Sequence, residues 1–241
     1  MQQLQDLKIQ IFADGADLAG ITQCSRNPLI KGFTTNPTLM RKAGVTDYRA
    51  FAREVLQVVG NRPVSFEVFS DEFAEMELQA REIASWGRNV FVKIPVTNTQ
   101  RESAGPLIQR LARAGVQLNI TAVFTSEQVR RVLACLSPDT RSYVSVFAGR
   151  IADSGRDPIP IMAEAVHLLR ANAKAELIWA SPRELLNIFH AEAVGCHVIT
   201  VTHDLLGKLG LIGKSLEEFS LETVQMFRRD AVSAGFRIDI G

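Results

Sequence analysis

The chain has 241 residues, 46% of them hydrophobic and 22% charged, with a formal net charge of +1. That length suits one large α/β barrel or two small domains, and the near-neutral balance excludes a basic nucleic-acid binder. No run reaches the ~18 apolar residues of a membrane span, and Cys24, Cys135 and Cys196 have no CxxC spacing, so neither a disulfide framework nor a zinc site is expected.

From the first residue to the last, short β-rich runs alternate with longer helical patterns, which is the βαβ signature. Strands are expected near 9–13, 32–35, 64–68, 90–95, 117–121, 143–147, 176–180 and 197–201. Helical periodicity falls between them, over 48–59, 72–86, 101–114, 126–136, 159–171 and 182–193, several of these opening at a Ser, Asp or Pro signal. An amphipathic segment at 216–231 follows the eighth strand with no strand after it, so it is a candidate for packing on the barrel or on a neighbouring subunit. No linker, low-complexity tract or longer repeat divides the chain. The expected architecture is an α/β chain of one domain, 1–241, a (β/α)8 TIM barrel with a C-terminal helical extension at 214–235. An open doubly wound sheet is the alternative, but it would show a glycine-rich loop after the first strand, where this chain has Ala13-Asp14-Gly15-Ala16-Asp17. Residues 1–7 have neither the basic region nor the apolar core of a secretion signal, and a reducing cytoplasm is the expected compartment.

The fourth strand carries the most informative residue. Lys93 sits inside Val90-Phe91-Val92-Lys93-Ile94-Pro95-Val96. Apolar surroundings disfavour a charged ammonium, and a neutral amine is a nucleophile toward carbonyls, so Schiff-base chemistry is the natural reaction. The alternative is a lysine whose stem is buried while its head reaches water. In a barrel, the polar residues closing each strand converge on one mouth. They are Asp14 from the first strand, Thr34 and Asn36 from the second, Glu67 from the third and Lys93 from the fourth. Asn119 and Thr121 close the fifth, Ser145 and Arg150 the sixth, Ser181 and Arg183 the seventh.

Amine, carboxylates, hydroxyls, amides and two guanidiniums make up a sugar-phosphate site. Asp14 and Asn36 also suit helix caps or turns, whereas a buried Glu67 among aromatic and branched neighbours needs a partner. Arg150 and Arg183 are either solvated surface arginines or a guanidinium pair for phosphate near the later strands. Ser181 is read as opening a helix at Pro182, whose N–H groups would face an anion. His167, His190 and His197 are read as packing residues, and His203, just past the eighth strand, as a cap or a site residue. No Cys, His and carboxylate grouping has metal spacing; no metal and no cofactor are expected.

Six segments in chain order resemble the transaldolase family, specifically its short transaldolase and fructose-6-phosphate aldolase group. They are Ile11-Phe12-Ala13-Asp14, Gly32-Phe33-Thr34-Thr35-Asn36-Pro37-Thr38, Val92-Lys93-Ile94-Pro95-Val96-Thr97, Asn119-Ile120-Thr121, Ser145-Val146-Phe147-Ala148-Gly149-Arg150-Ile151 and Ala180-Ser181-Pro182-Arg183. The resemblance implies a barrel enzyme of carbohydrate metabolism, as in the pentose phosphate pathway, in which Lys93 condenses with a ketose phosphate. It implies that Asp14 transfers a proton at the cleaved carbon–carbon bond and that Glu67 and Thr121 hold a proton-shuttling water. Asn36, Asn119 and Ser145, with Thr34, would bind the dihydroxyacetone unit, and Arg150, Ser181 and Arg183 the phosphate.

Glu67 and Phe147 follow the transferase branch, where the aldolase branch has Gln and Tyr. The chain departs from the family at Gly15, where Thr is common, and at Pro182, where an aromatic is common. The expected activity is therefore transfer of a dihydroxyacetone unit from sedoheptulose 7-phosphate or fructose 6-phosphate to an aldose phosphate. A lyase releasing dihydroxyacetone, a transaldolase for an unusual sugar phosphate in a secondary pathway, and a non-catalytic sugar-phosphate-binding barrel remain the alternatives. The expected partners are small sugar phosphates and further copies of the chain in a homo-oligomer, with no nucleic acid and no membrane.

Overall fold

The computed structural model describes residues 4–240; residues 1–3, part of the segment read for a secretion signal, lie outside the described residues. Eight strands run β1 (Gln10–Asp14), β2 (Ile30–Thr34), β3 (Val64–Glu67), β4 (Val90–Pro95), β5 (Leu118–Val123), β6 (Ser142–Val146), β7 (Ala175–Trp179) and β8 (Val198–Thr202). All pair in parallel and in sequence order, and β8 pairs back onto β1, so the sheet closes into a (β/α)8 barrel. The doubly wound alternative is thereby excluded.

The helices are α1 (Leu18–Ser25), α2 (Pro37–Lys42), α3 (Tyr48–Val59), α4 (Phe73–Ala84), α5 (Gly105–Arg113), α6 (Ser126–Leu133), α7 (Ala148–Asp153), α8 (Ile159–Leu169), α9 (Leu186–Ala193), α10 (His203–Leu206) and α11 (Leu216–Ser233). Side-chain caps fix several starts, among them Asp17 on Gly20 N–H before α1, Asp47 on Ala50 N–H before α3, and a reciprocal Thr125–Gln128 capping box before α6. None of the described helices is long and apolar enough to cross a membrane.

Two apolar clusters result from strand alternation. Residues such as Val64, Phe66, Val90, Val92 and Ile94 join the helices in the larger cluster outside the barrel. Phe12, Phe91, Tyr143, Ile178, Ala180 and Val198 form a second, separate cluster. Phe12 on β1 meets Tyr143 on β6 edge-on at 5.7 Å between ring centroids, and Tyr143 meets Phe91 on β4 at 4.4 Å. Contacts between strands that are not neighbours can only be made across the interior, so these rings plug the barrel. Gly32 makes room for the plug: a Cβ there would lie 2.5 Å from Phe12 Cζ. Two residues further along β1, β2, β4 and β6 the inward positions turn polar, giving Asp14, Thr34, Lys93 and Ser145 at the C-terminal end of the barrel, where barrel enzymes build their sites.

The helix expected at 182–193 starts later, at Leu186. Asn187 Oδ1 accepts from the Arg183 N–H at 2.8 Å, and Ser181 has a left-handed φ of 62°, so residues 181–185 form a turn outside the helix. Ser181 therefore does not present a helix N-terminus to an anion. After β8 and α10, α11 stands apart: no residue of it is buried.

Candidate active site

Lys93 is the centre of the polar mouth. Its register partners are Glu67 on β3 and Asn119 on β5. The Nζ donates to the Thr35 carbonyl oxygen at 2.8 Å and lies 3.1 Å from Glu67 Oε2. The residue is only 6% exposed, so the alternative of a head in bulk water fails. The reading of its surroundings as apolar needs correction. Its neighbours in sequence, Val92 and Ile94, point outward to the helices, and the groups around the ammonium itself are polar. A buried ammonium is tolerated because a carboxylate and a carbonyl receive it.

Glu67 is held in place by a residue that the sequence did not single out. The Tyr48 hydroxyl accepts from the Glu67 backbone N–H at 2.8 Å and donates to the Glu67 carbonyl at 3.0 Å. Tyr48 is packed edge-on against Phe66 and Trp86, and burial pushes its phenol pKa up, which keeps it a neutral donor. The only advance signal was its place at the start of the 48–59 helical pattern.

Asp14 closes β1, in register with Thr34 on β2 and Thr202 on β8. The Thr34 hydroxyl donates to Asp14 Oδ1 at 2.7 Å and contacts the Thr200 hydroxyl at 2.5 Å. Since the single Thr34 hydrogen goes to Asp14, Thr200 donates to Thr34, and the relay ends on the carboxylate. Burial raises the Asp14 pKa, and this outweighs the lowering by Lys93, the Thr34 hydrogen bond and His203. Asp14 is not a helix cap; Asp17 caps α1 instead. Thr34, expected to touch substrate, directs its hydroxyl to Asp14.

Asn119 is fully buried and fixed at both ends of its amide. Its Nδ2 donates to Ser65 Oγ at 3.0 Å and its Oδ1 accepts from Ser145 Oγ at 2.7 Å. Ser65, two residues before Glu67 on the same face, was legible by the period of two. Thr121, buried, stands opposite Pro95 and directly before Ala122, whose φ of 58° marks a bulge where the β5–β6 register shifts. Bulges re-aim side chains next to sites. Asn36 caps α2, its Oδ1 accepting from Leu39 N–H at 3.0 Å; its amide nitrogen has no such duty.

The two arginines stand on the rim beyond β6 and β7. Arg150 is exposed and places its guanidinium 5.8 Å from the Phe147 ring centroid, while Phe147 stacks on Phe124 at 5.7 Å. Arg183 Nε donates to Asp153 Oδ1 at 2.8 Å, with a second bond from its Nη2 to Oδ2. That pair holds the Asp153 carboxyl below its usual range and raises the Arg183 guanidinium. Ser181 reaches the same rim through a close backbone approach: a Cβ on Gly149 would lie 1.5 Å from the Ser181 carbonyl oxygen, so only glycine fits. Asp153 was missed, having no strand-end position to mark it.

Among the histidines, His197 Nδ1 accepts from Leu177 N–H at 3.0 Å, and His190 lies beside Trp179 at 6.5 Å. His203 fills the space beside Gly15, where a Cβ would lie 2.5 Å from its ring.

Comparison with known proteins agrees with this geometry. The chain is 33% identical over 199 residues to a probable transaldolase of Dehalococcoides mccartyi, covering 82% of this chain and 88% of that protein. It is 31% identical over 231 residues to a probable transaldolase of Thermoanaerobacter sp., covering 95% and 100%. Among solved structures, a dihydrodipicolinate synthase from Rhodopseudomonas palustris superposes with a TM-score of 0.54 at 13% identity, covering 87% of this chain and 76% of that one, which shows the shared fold. The family model described as Transaldolase/Fructose-6-phosphate aldolase matches residues 11–238. With that match over nearly its whole length, this chain belongs to the transaldolase and fructose-6-phosphate aldolase family of enzymes.

Proposed function

We propose that this protein is a transaldolase that moves a dihydroxyacetone unit from a ketose phosphate to an aldose phosphate through a Schiff base on Lys93. The observation that carries this reading is the buried Lys93 amine within 3.1 Å of Glu67, in the same mouth as Asp14. Glu67 accepts the ammonium proton, directly or through a water held with Thr121, and the freed lone pair attacks the C2 carbonyl of the sugar. Loss of water leaves a protonated imine. Asp14 then takes the proton of the C4 hydroxyl, the C3–C4 bond breaks, and its electron pair is delocalised into the imine as an enamine. The aldose phosphate leaves. An acceptor aldehyde is attacked by the enamine carbon, Asp14 returns the proton to the new alkoxide, and hydrolysis frees Lys93.

Asn119 and Ser145, locked to one another, and the free amide nitrogen of Asn36 hold the hydroxyls of the three-carbon unit. Arg150, Arg183 and Ser181 receive the phosphate at the rim. Phe147, apolar beside this path, supplies no hydroxyl to protonate the enamine, which favours transfer over release of dihydroxyacetone. The described thiols are unpaired, in keeping with a reducing cytoplasm. We place one catalytic unit over the barrel and assign α11 to subunit packing in a homo-oligomer, because Leu221, Val224 and Phe227 are all exposed on it.

Borohydride reduction in the presence of fructose 6-phosphate, followed by peptide mapping, tests the mechanism. A mass adduct on the Lys93 peptide is expected, and an unmodified Lys93 removes the Schiff base. Rapid dihydroxyacetone release without an acceptor would replace transferase with lyase.

A further inference from the structure

Strand β8 reads Val198-Ile199-Thr200-Val201-Thr202. Ile199 and Val201 join the apolar cluster outside the barrel and Val198 joins the plug, so by the period of two Thr200 also points inward. Its register partner on β1 is Phe12, a ring of the plug, which pairs on its other side with Gly32 of β2. Two residues further on, Asp14 pairs with Thr34 on one side and Thr202 on the other. Thr200 is therefore a buried hydroxyl standing between the aromatic plug and the carboxylate.

A hydroxyl at that depth needs a partner. Among the described residues the Thr200 hydroxyl has one, Thr34 Oγ1 at 2.5 Å, reached across the inner side of β1. Thr34 Oγ1 in turn donates to Asp14 Oδ1 at 2.7 Å. A valine at 200 would fill the same space with no polar group to satisfy, so the hydroxyl adds something other than packing. What it adds is direction. Each threonine carries one hydrogen, and an ionised carboxylate can only accept. With Thr200 donating into a lone pair of Thr34, the Thr34 rotor is held with its own hydrogen on Asp14 Oδ1. No hydrogen bond reaches Asp14 Oδ2 among the described residues. One carboxylate oxygen is thus occupied and the other is open.

We propose that Thr200 is a positioning residue for the carbon–carbon cleavage step, acting through Thr34 to hold Asp14 with Oδ1 occupied and Oδ2 presented to the substrate hydroxyl. This rests on the reading of Asp14 as the proton-transfer group. In cleavage the C4 hydroxyl proton passes to Oδ2 as the C3–C4 electron pair moves into the imine. When the acceptor adds, the same proton returns from Oδ2 to the new alkoxide. Neither threonine gives up its hydrogen at any stage. Imine formation takes place at Lys93 and Glu67 without Asp14, so Thr200 bears on the bond-breaking and bond-making half of the cycle alone.

Two measurements on the full-length protein test this. Thr200→Val keeps the shape and removes the hydroxyl, whereas Thr200→Ser keeps the hydroxyl. With fructose 6-phosphate and an aldose phosphate acceptor, Thr200→Val is expected to lose about tenfold in kcat with KM changed less than about twofold, and Thr200→Ser to recover most of that loss. The second measurement is borohydride trapping with fructose 6-phosphate alone during the first turnovers, the Lys93 peptide being resolved by mass. The reduced adduct carries either the intact six-carbon phosphate or the three-carbon remnant. In Thr200→Val the ratio of six-carbon to three-carbon adduct is expected to rise by about tenfold, with total trapped lysine unchanged, while Thr200→Ser keeps the wild-type ratio. An unshifted ratio, or a serine variant as impaired as the valine one, overturns the proposal. If Thr200→Val does not fold, Thr200→Ala is compared with Thr200→Ser by the same ratio and the same criterion. An Asp14→Asn variant that still cleaves the donor would sink the reading of Asp14 instead; an inactive Asp14→Asn beside an unshifted Thr200→Val ratio overturns the role of Thr200 alone.

Discussion

Glu67 and Lys93 stand opposite one another across the β3–β4 pair, and the carboxylate oxygen lies 3.1 Å from the ammonium nitrogen. Each makes the burial of the other tolerable. Glu67→Gln keeps the shape but removes the proton acceptor, so kcat is expected to fall by roughly 10²-fold or more, with Lys93 still slowly trapped by borohydride. Glu67→Ala leaves the ammonium uncompensated and is expected to cost about 3 kcal/mol in denaturant unfolding. Activity lost equally in Lys93→Met and intact in Glu67→Gln would show that the carboxylate is structural only.

Tyr48→Phe removes both hydrogen bonds to the Glu67 backbone without changing the aromatic packing around Phe66 and Trp86. A loss of about 1–2 kcal/mol in unfolding free energy is expected, because a half-buried N–H and carbonyl lose their partner. The kcat should drop alongside it. A variant with unchanged stability would mean that water replaces the hydroxyl.

Asp14 makes stability depend on pH. Its folded pKa is raised above the unfolded value of 3.8, so its contribution is fully present below 3.8 and is lost as pH rises through the folded value. Above the folded value the folded protein therefore bears the cost of ionising a buried Asp14. Asp14→Asn should be inactive yet more stable than the wild type near neutral pH, by about 1.4 kcal/mol for each unit by which the carboxyl is raised. The advantage should vanish at acid pH, as chemical denaturation at both pH values would reveal. Lower stability of the variant at neutral pH would reverse the sign assigned here.

On the rim, Asp153 holds Arg183 with two hydrogen bonds, so a phosphate must displace or share that guanidinium. Asp153→Asn is expected to lower the KM for phosphorylated donors by roughly threefold, and Arg183→Ala to raise it by about tenfold, with kcat less affected in both. Identical KM values in the two variants would place the phosphate elsewhere.

Phe147→Tyr adds a hydroxyl at the end of β6. The expected result is increased dihydroxyacetone release from fructose 6-phosphate without acceptor, measured enzymatically. No change in release would show that this position does not partition the enamine.

The barrel was legible in the chain because each strand is short, bounded by turn signals and followed by a helical period, and all eight lie within two residues of their expected ends. Lys93, Glu67, Asp14 and Asn119 were legible because polar side chains at strand ends are costly unless used. What escaped notice depends on contacts between distant parts of the chain. Tyr48 reaches Glu67 from a helix start, Thr200 reaches Asp14 only through Thr34, and Asp153 meets Arg183 from the preceding βα unit. The start of α9 was misplaced for a similar reason: Pro182 resembles a first helical residue, but Asn187 bonds back and holds the turn open. Gly15 read as a departure, and only the folded chain reveals the ring that occupies its missing side chain.

The aromatic floor made by Phe12, Phe91 and Tyr143 has a kinetic corollary. With one end stoppered, the cavity is a cul-de-sac, and the departing aldose and the incoming aldehyde must use the same doorway in turn. Initial-rate plots at several fixed acceptor concentrations should then give parallel lines, the double-displacement pattern, and excess acceptor should crowd out the donor.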